Sequence, residues 1–437
     1  MTDSTAPLAD KDARILVVGG AGTIGSSTAL HLLRRGYSNV RILDVYPSPS
    51  GNSAGNDLNK ICGNDRGLGI WGDISDEAWE GWTHDPVFQP YCHSVGKLDL
   101  ACGDTPRAAQ LRRKYNLLQS LGRKDVEWLS DGDAIKRKAG HLADANIETW
   151  NGLWCGEGGW VAAHDALDSV GRELASLGIK TAFGPSGTFV SLLLSEDGKT
   201  CTGVKAADGT EWPADLVVFA AGAWSPVLLD LQGQCESKAW IYAHIQLTPE
   251  EAEQLKGIPT MYNDEYGFFM EPSATGLLKF CNEFAGYTHY TTATPFPLTE
   301  PVRISVPRSH AAHPTDTIPT ESLEDIKRLI AKTISWLSGR PLINQALCWC
   351  TDTPDAQWLL CEDPRWKGLV LATGDSGHSF KTLPVAGKQV VDLIEGVLAP
   401  ERKHAWRWRP GHGDPNGTGR GGPRPKDLAD VPGWKHD

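Results

Sequence analysis

No apolar run in these 437 residues approaches the length of a bilayer span, so no membrane segment is expected. Residues 1–7 (MTDSTAP) lack the basic and apolar regions of a secretion signal. Basic charge is not in excess: 42 Lys and Arg stand against 54 Asp and Glu, a net charge of −12. That balance argues against a nucleic-acid partner and for a soluble protein. There is no internal repeat. The ten cysteines are scattered, and without a secretion signal they point to a reduced compartment. Cys348 and Cys350 are one residue apart, too close for a chelating zinc pair, and no metal site is expected. What is present is a chain with 40% hydrophobic residues, enough for two domains or one large α/β domain with insertions. Its seventeen tryptophans suit a core, a domain interface or an aromatic-lined pocket.

The organising stretch is a short apolar run from Ile15, a glycine-rich turn, and a segment from Ser26 with helical spacing of Ala29, Leu30 and Leu33. The turn carries G-x-G-x-x-G as Gly20, Gly22 and Gly25, in the strand–turn–helix setting that gives this motif meaning. The first glycine permits the turn, the second lets backbone approach a pyrophosphate, and the third lets helix and strand pack closely. The helix N-terminus then offers unpaired N–H groups and partial positive charge to phosphates. A second strand, residues 40–44, ends in Asp44, about twenty residues after the last glycine, where ribose hydroxyls are bound. A dinucleotide site is expected here.

Further on, residues 46–60 are rich in Pro, Gly, Ser and Asn and should form a loop. Helices are expected over 75–82, 107–121, 165–177, 322–337 and 387–395, and strands over 93–101, 180–183 and 216–224. A hairpin is expected around Asp208 and Gly209, and a last strand over 368–374. The tail from Arg409 to Lys426 is rich in Gly and Pro and should be a surface loop or loose end. Nucleotide-binding pieces thus stand at the beginning, middle and end of the chain. Residues 216–222 and 369–374 look like further strands returning to one sheet, which favours FAD over NAD.

The chain also resembles a known family. The segments 19–32 (GGAGTIGSSTALHL), 53–61 (SAGNDLNKI), 347–353 (LCWCTDT) and 372–381 (ATGDSGHSFK) resemble the fungal fructosyl amino acid and fructosyl peptide oxidases, or amadoriases. So do 237–240 (SKAW), 266–272 (YGFFMEP), 303–310 (RISVPRSH) and 405–411 (AWRWRPG). The resemblance covers nearly the whole chain. It implies a flavoenzyme of the monomeric sarcosine oxidase type, which oxidises the C–N bond of a secondary amine and passes electrons to O2. The implied fold is mixed α/β: a discontinuous Rossmann-type FAD-binding domain, residues 1–92, 152–235 and 345–437, and a substrate domain with a mixed β-sheet, residues 93–151 and 236–344. This arrangement is that of the flavoproteins related to glutathione reductase and D-amino-acid oxidase.

The resemblance also implies roles. Cys348 would form a thioether to the flavin 8α-methyl group, whereas the residues alone allow two buried small hydrophobes. Lys279, alternating with apolar neighbours, would stand beside flavin N5, where a cation favours electron transfer to O2. Lys60 would approach the flavin ring, with Asn59 beside it relaying or holding water. The rest of the implied cofactor set is Gly20, Gly22, Thr23, Ile24, Gly25, Asp44, Ser53, Ala221, Gly222, Asp375, Gly377, Phe380 and Lys381. Glu283 and Lys381 are substrate-binding candidates, for the sugar hydroxyls or amine and for the carboxylate. No catalytic histidine is expected among His310, His313 and His378. The reaction implied converts a fructosyl amine, O2 and water into glucosone, a free amino acid or peptide, and hydrogen peroxide. Oxidation of an unglycated amine such as sarcosine, pipecolate or saccharopine is the alternative. A flavin- or NAD-binding regulatory module without turnover is the rival from another class. The substrates would be glycated amino acids or dipeptides. The protein is expected to be a monomer, cytoplasmic or peroxisomal, although residues 435–437 do not form a peroxisomal tripeptide. Two segments depart from the fructosyl peptide oxidase pattern: residues 61–71, in place of an Arg-rich loop, and Asn282, where an acid usually stands.

Overall fold

The computed structural model describes residues 6–64, 67–412 and 423–436, apart from the side chains of Glu283 and Phe284. Its first layer is a six-stranded sheet. Across it run Lys180–Ala182, Val40–Leu43, Ile15–Val18, Leu216–Phe219, Leu369–Thr373 and Leu359–Glu362, all parallel except the last. Four of these strands are nearly continuous apolar runs because both faces of the sheet are covered. Ile15, Val17, Ile42 and Val218 face the helices Thr23–Arg34, Ala163–Ser176 and Leu383–Ile394. Leu16, Val18, Val217 and Phe219 face Phe189, Leu192 and Val204 of a small antiparallel sheet. The expected hairpin at Asp208 and Gly209 joins two strands of that small sheet.

The strand order reverses between Ile15–Val18 and Leu216–Phe219, which lie side by side. The carboxyl ends of both strands therefore open a crevice, the usual ligand site of such sheets. Helix Thr23–Arg34 packs closely at this point. A Cβ added to Gly25 would lie 2.2 Å from the Gly19 carbonyl oxygen, and one on Gly387 2.0 Å from that of Ser27. Gly25→Ala is therefore expected to push the helix off the turn and cost about 1–3 kcal/mol, as overpacking does. Thermal unfolding would show it as a lowered Tm, together with loss of bound dinucleotide.

The second layer is a nine-stranded mixed sheet. Its path runs Ile343–Asp352, Glu236–Gln246, Leu277–Thr288, Gly267–Phe269, Thr260–Asn263, Lys97–Cys102, Trp150–Cys155 and Val126–Leu129, with Lys426–Asp427 alongside Leu277–Thr288. Alternation along the strands sorts the side chains onto two faces. Ala239, Ile241, Ala243, Leu278, Phe280 and Leu347 join the core beneath helix Thr320–Thr333. Trp240, Tyr242, Lys279, Cys281, Cys348 and Cys350 point the other way, toward the first layer.

Several expectations need correction. The proposed seam at 151 falls inside Trp150–Cys155, and that at 345 inside Ile343–Asp352, so both strands stay with the large sheet. Lys60 is not the end of a loop but opens the strand Lys60–Gly63, paired with Gly158–Val161. Pairing is favoured there because Ile61 and Trp160 pack with Phe268 and Met270. The helix expected from Ser75 starts at Ile70, and that expected to Leu337 stops at Thr333. Arg409 is not on a loose tail. It is buried in a two-pronged ion pair with Asp355, both N···O distances 2.9 Å. Residues 413–422 of the expected tail lie outside the described residues.

Candidate functional site

A cavity of about 1440 Å³ runs from the crevice of the first sheet to the inner face of the second. It is larger than the roughly 300–1,000 Å³ typical of small-molecule sites. Gly22, Thr23, Ile24, Asp44, Ser53, Ala221 and Gly222, all candidates for holding the cofactor, line its end at the crevice of the first sheet. Gly20 and Gly25 do not line it; a Cβ on Gly20 would strike Ile42, so these two serve packing. Gly19 turns with φ +76°, and helix Thr23–Arg34 begins at Gly22 with no side-chain cap and no acid in its first turn. Its first N–H groups therefore remain available to an anion. Asp44 is buried. Its Oδ1 accepts from Ser50 Oγ at 2.8 Å and its Oδ2 from the Ala21 N–H at 3.1 Å. Burial raises its pKa and these hydrogen bonds offset part of the rise.

Deeper in, three charged groups converge. Asp57 is almost fully buried, and its Oδ2 takes an ion pair from Lys279 and another from Lys60, the latter at 2.6 Å. Lys279 Nζ also donates to the Asn59 carbonyl at 3.1 Å and lies 5.1 Å from the centre of the Tyr242 ring. Burial disfavours the Asp57 carboxylate, but the two ammonium groups outweigh it and hold its pKa well below the usual range. For Lys60, burial opposes the charge, yet Asp57 raises the pKa well above the ordinary lysine value. Lys60 Nζ then reaches the Cys348 sulfur at 3.4 Å. Asn59, expected beside the reacting centre, does not line the cavity; its side chain is fully buried and only its carbonyl touches Lys279.

The two neighbouring cysteines share a face but not surroundings. Cys350 is buried, accepting from Trp240 Nε1 at 3.1 Å and donating to the Lys238 carbonyl at 3.3 Å. Cys348 is partly exposed to the cavity. Beyond it the turn after Leu369–Thr373 brings Asp375, Gly377, Phe380 and Lys381 to the wall. The Lys381 carbonyl is held by Trp82 Nε1 at 2.6 Å. His378 lines the cavity with its Nε2 3.0 Å from the Ala356 carbonyl oxygen and its ring edge-on to Trp71.

At the outer end Lys97 and Lys114 pair with Asp99, and Arg107 with Asp264. Asn282 donates to Asp325 at 3.0 Å, on a helix where burial raises the Asp325 pKa. An acid at position 282 would face that carboxylate, so the amide suits its neighbour. The Glu283 side chain lies outside the described residues. Sequence reasoning missed Asp57 and this charged rim. Neither carried a local signal, since an acid in a polar loop and charges on an amphipathic helix look solvated.

The donors fit a flavin dinucleotide. The helix N-terminus and glycine turn suit the pyrophosphate. Asn52 Oδ1 and Trp224 Nε1 line the cavity, buried and with no protein partner, and so await a ligand or water. Sheet, crevice and cation-lined inner wall together define a dinucleotide-dependent oxidoreductase. The chain belongs to the family of FAD dependent oxidoreductases, whose model matches residues 14–393. Within it the chain is similar to a modified fructosyl peptide oxidase from Aspergillus nidulans, 50% identical with a TM-score of 0.93, covering 98% of this chain and 100% of that one. It is also similar to Amadoriase II, a deglycating fructosamine oxidase from Aspergillus fumigatus, 34% identical with a TM-score of 0.86 and 98% of each chain covered. Among curated relatives, the L-saccharopine oxidase of Schizosaccharomyces pombe is 29% identical over 411 residues, 91% of this chain and 93% of that one.

Proposed function

We propose that the protein is an FAD-dependent oxidase of fructosyl amino acids or fructosyl peptides, releasing glucosone, the free amino acid or peptide, and hydrogen peroxide. The observation that carries this reading is the Lys279–Asp57–Lys60 cluster beside Cys348, in one cavity with the dinucleotide crevice. The similarity to fructosyl peptide oxidases along the whole chain supports it over an unglycated amine, since the saccharopine oxidase relative is more distant. FAD, when bound, supplies a two-electron acceptor that O2 reoxidises. The chain's residues do the rest. The N-terminus of Thr23–Arg34 holds the pyrophosphate and Asp44 the ribose. Lys279 presents a fixed cation where negative charge develops on O2. Lys381 and Glu283 bind the substrate carboxylate and sugar. The substrate amine needs only to be neutral to give up its hydrogen, so no strong base is required. The large sheet, with residues 93–151 and 236–344 as its main part, forms the substrate side; the remainder holds the dinucleotide. No helix among the described residues is long and apolar enough to cross a membrane. The proposed enzyme works as a monomer in the cytoplasm or peroxisome. Peroxide release from fructosyl-valine, and its absence with sarcosine, pipecolate and saccharopine, is the expected assay result; the reverse preference would move the protein to the alternative class.

Cys348 is assigned the covalent link. Cys348→Ser should leave FAD extractable by acid, whereas Cys350→Ser should not, because the Cys350 sulfur is engaged with Trp240 and Lys238. Yellow colour retained on the acid-precipitated chain of both variants would refute the assignment.

A further inference from the structure

The cluster around Asp57 does more than collect charges. One carboxylate oxygen receives both lysine ammonium groups, from strands that belong to different sheets. The carboxylate itself sits in the loop between the first sheet and Lys60–Gly63, so it ties three elements at one atom. We propose that Asp57 is a positioning residue that sets the charge of the inner wall: it fixes Lys279 and Lys60 side by side and supplies the counter-charge without which two adjacent cations could not coexist out of water. One anion against two cations leaves a net single positive charge facing the cavity.

The other groups around this cluster do not supply that counter-charge. Tyr242, on Glu236–Gln246, is driven further toward its neutral form by burial and by Asp57 itself. His244, on the same strand and opposite Lys279, is pushed down to about 4 by burial and by the Lys279 ammonium, so it stays neutral. Cys281 lies on the same strand as Lys279 and Cys348 on Ile343–Asp352, the latter as the proposed thioether, which carries no charge. Asp57 is thus the carboxylate that both amines address. Asp57→Asn keeps shape and an acceptor oxygen but removes the charge. Two buried ammonium groups would then repel each other, and burial would disfavour whichever is less solvated. One amine should lose its proton in the neutral-to-alkaline range. The cation would be present below the new pKa and lost as pH rises through it.

The inference rests on the flavin oxidase reading above. Its test therefore uses light-driven reduction rather than substrate, so an error in substrate class leaves the readout unchanged. The flavin midpoint potential of the holoprotein is measured from pH 6 to 10, and the photoreduced protein is mixed with O2 over the same range. The native protein should give a reoxidation rate without an inflection in this range. Asp57→Asn should show an added inflection in the potential, and a rate falling about tenfold per pH unit above it, as the protonated fraction does. Profiles matching the native protein in both measurements overturn the proposal. If Asp57→Asn does not fold, the double variant Asp57→Asn/Lys60→Met is measured instead, in which one charge of each sign leaves. Lys279 then stands alone, with no second ammonium to repel it, so the profile should return to the native form without an inflection between pH 6 and 10. An inflection in that range in the double variant overturns the proposal, because the paired cations would then not be its cause.

Discussion

Lys279→Met is expected to slow reoxidation of the reduced flavoprotein by O2 on the order of 10²–10³-fold, the loss typical of removing one preorganised charge-stabilising donor. Reduction by substrate should change far less. Lys279 is 2% exposed, and its Nζ is held by Asp57 and by the Asn59 carbonyl. Nothing needs to reorganise when negative charge arrives beside it, and the interior setting strengthens the attraction relative to water. Methionine preserves the length and apolar stem while removing the charge. Stopped-flow traces of the two half-reactions separate the outcomes. An equal loss in both would make Lys279 a packing or binding residue.

Lys381→Ala should raise KM steeply for fructosyl-valine and fructosyl-glycine, with much less effect on a fructosyl amine lacking the carboxylate. Lys381 lines the cavity on the turn after Leu369–Thr373, the carboxyl edge at which such sheets bind ligands. A carboxylate drawn out of water there needs a cationic partner. Truncating one partner of such a pair costs about 2–5 kcal/mol, here read from kcat/KM for the carboxylate substrate alone. Equal losses for both substrates would place Lys381 on the cofactor or the fold. If neither substrate is affected, Arg409 is no substitute, because Asp355 and three backbone carbonyls already occupy it.

How much of this was legible in the chain depended on distance along it. The turn at Gly20, Gly22 and Gly25 was legible because strand, glycines and helix are contiguous, and their geometry is local. Alternation around Lys279 marks a strand but leaves a solvent-facing lysine as the ordinary reading; the family resemblance, not the period, points it at the cofactor. The large sheet was not legible in detail, since Ile241 takes Asn282 on one side and Leu347 on the other. Those pairings are chosen by the fold, not by neighbours in sequence. Asp57 was missed for the same reason. It becomes buried only when a lysine 222 residues away closes over it. Asn59 shows the same limit: adjacency to Lys60 does not fix where its side chain points, and the fold buries both of its side-chain polar atoms without a protein partner.

The interleaving of the first sheet also governs how the molecule comes into being. Ile15–Val18 is made early on the ribosome, but one of its two neighbours is Leu216–Phe219, and that strand in turn waits for Leu369–Thr373. The crevice between the first two strands therefore cannot close until about half the chain has emerged, nor the sheet be completed until most of it has. Pairings between such distant segments are slow to find and leave strand edges exposed meanwhile. A nascent chain of this protein carries its glycine turn for about half of its synthesis with only Val40–Leu43 available on one side and the crevice side open. Free dinucleotide can stabilise only the finished sheet, so its supply in the cell should raise the yield of folded protein by mass action.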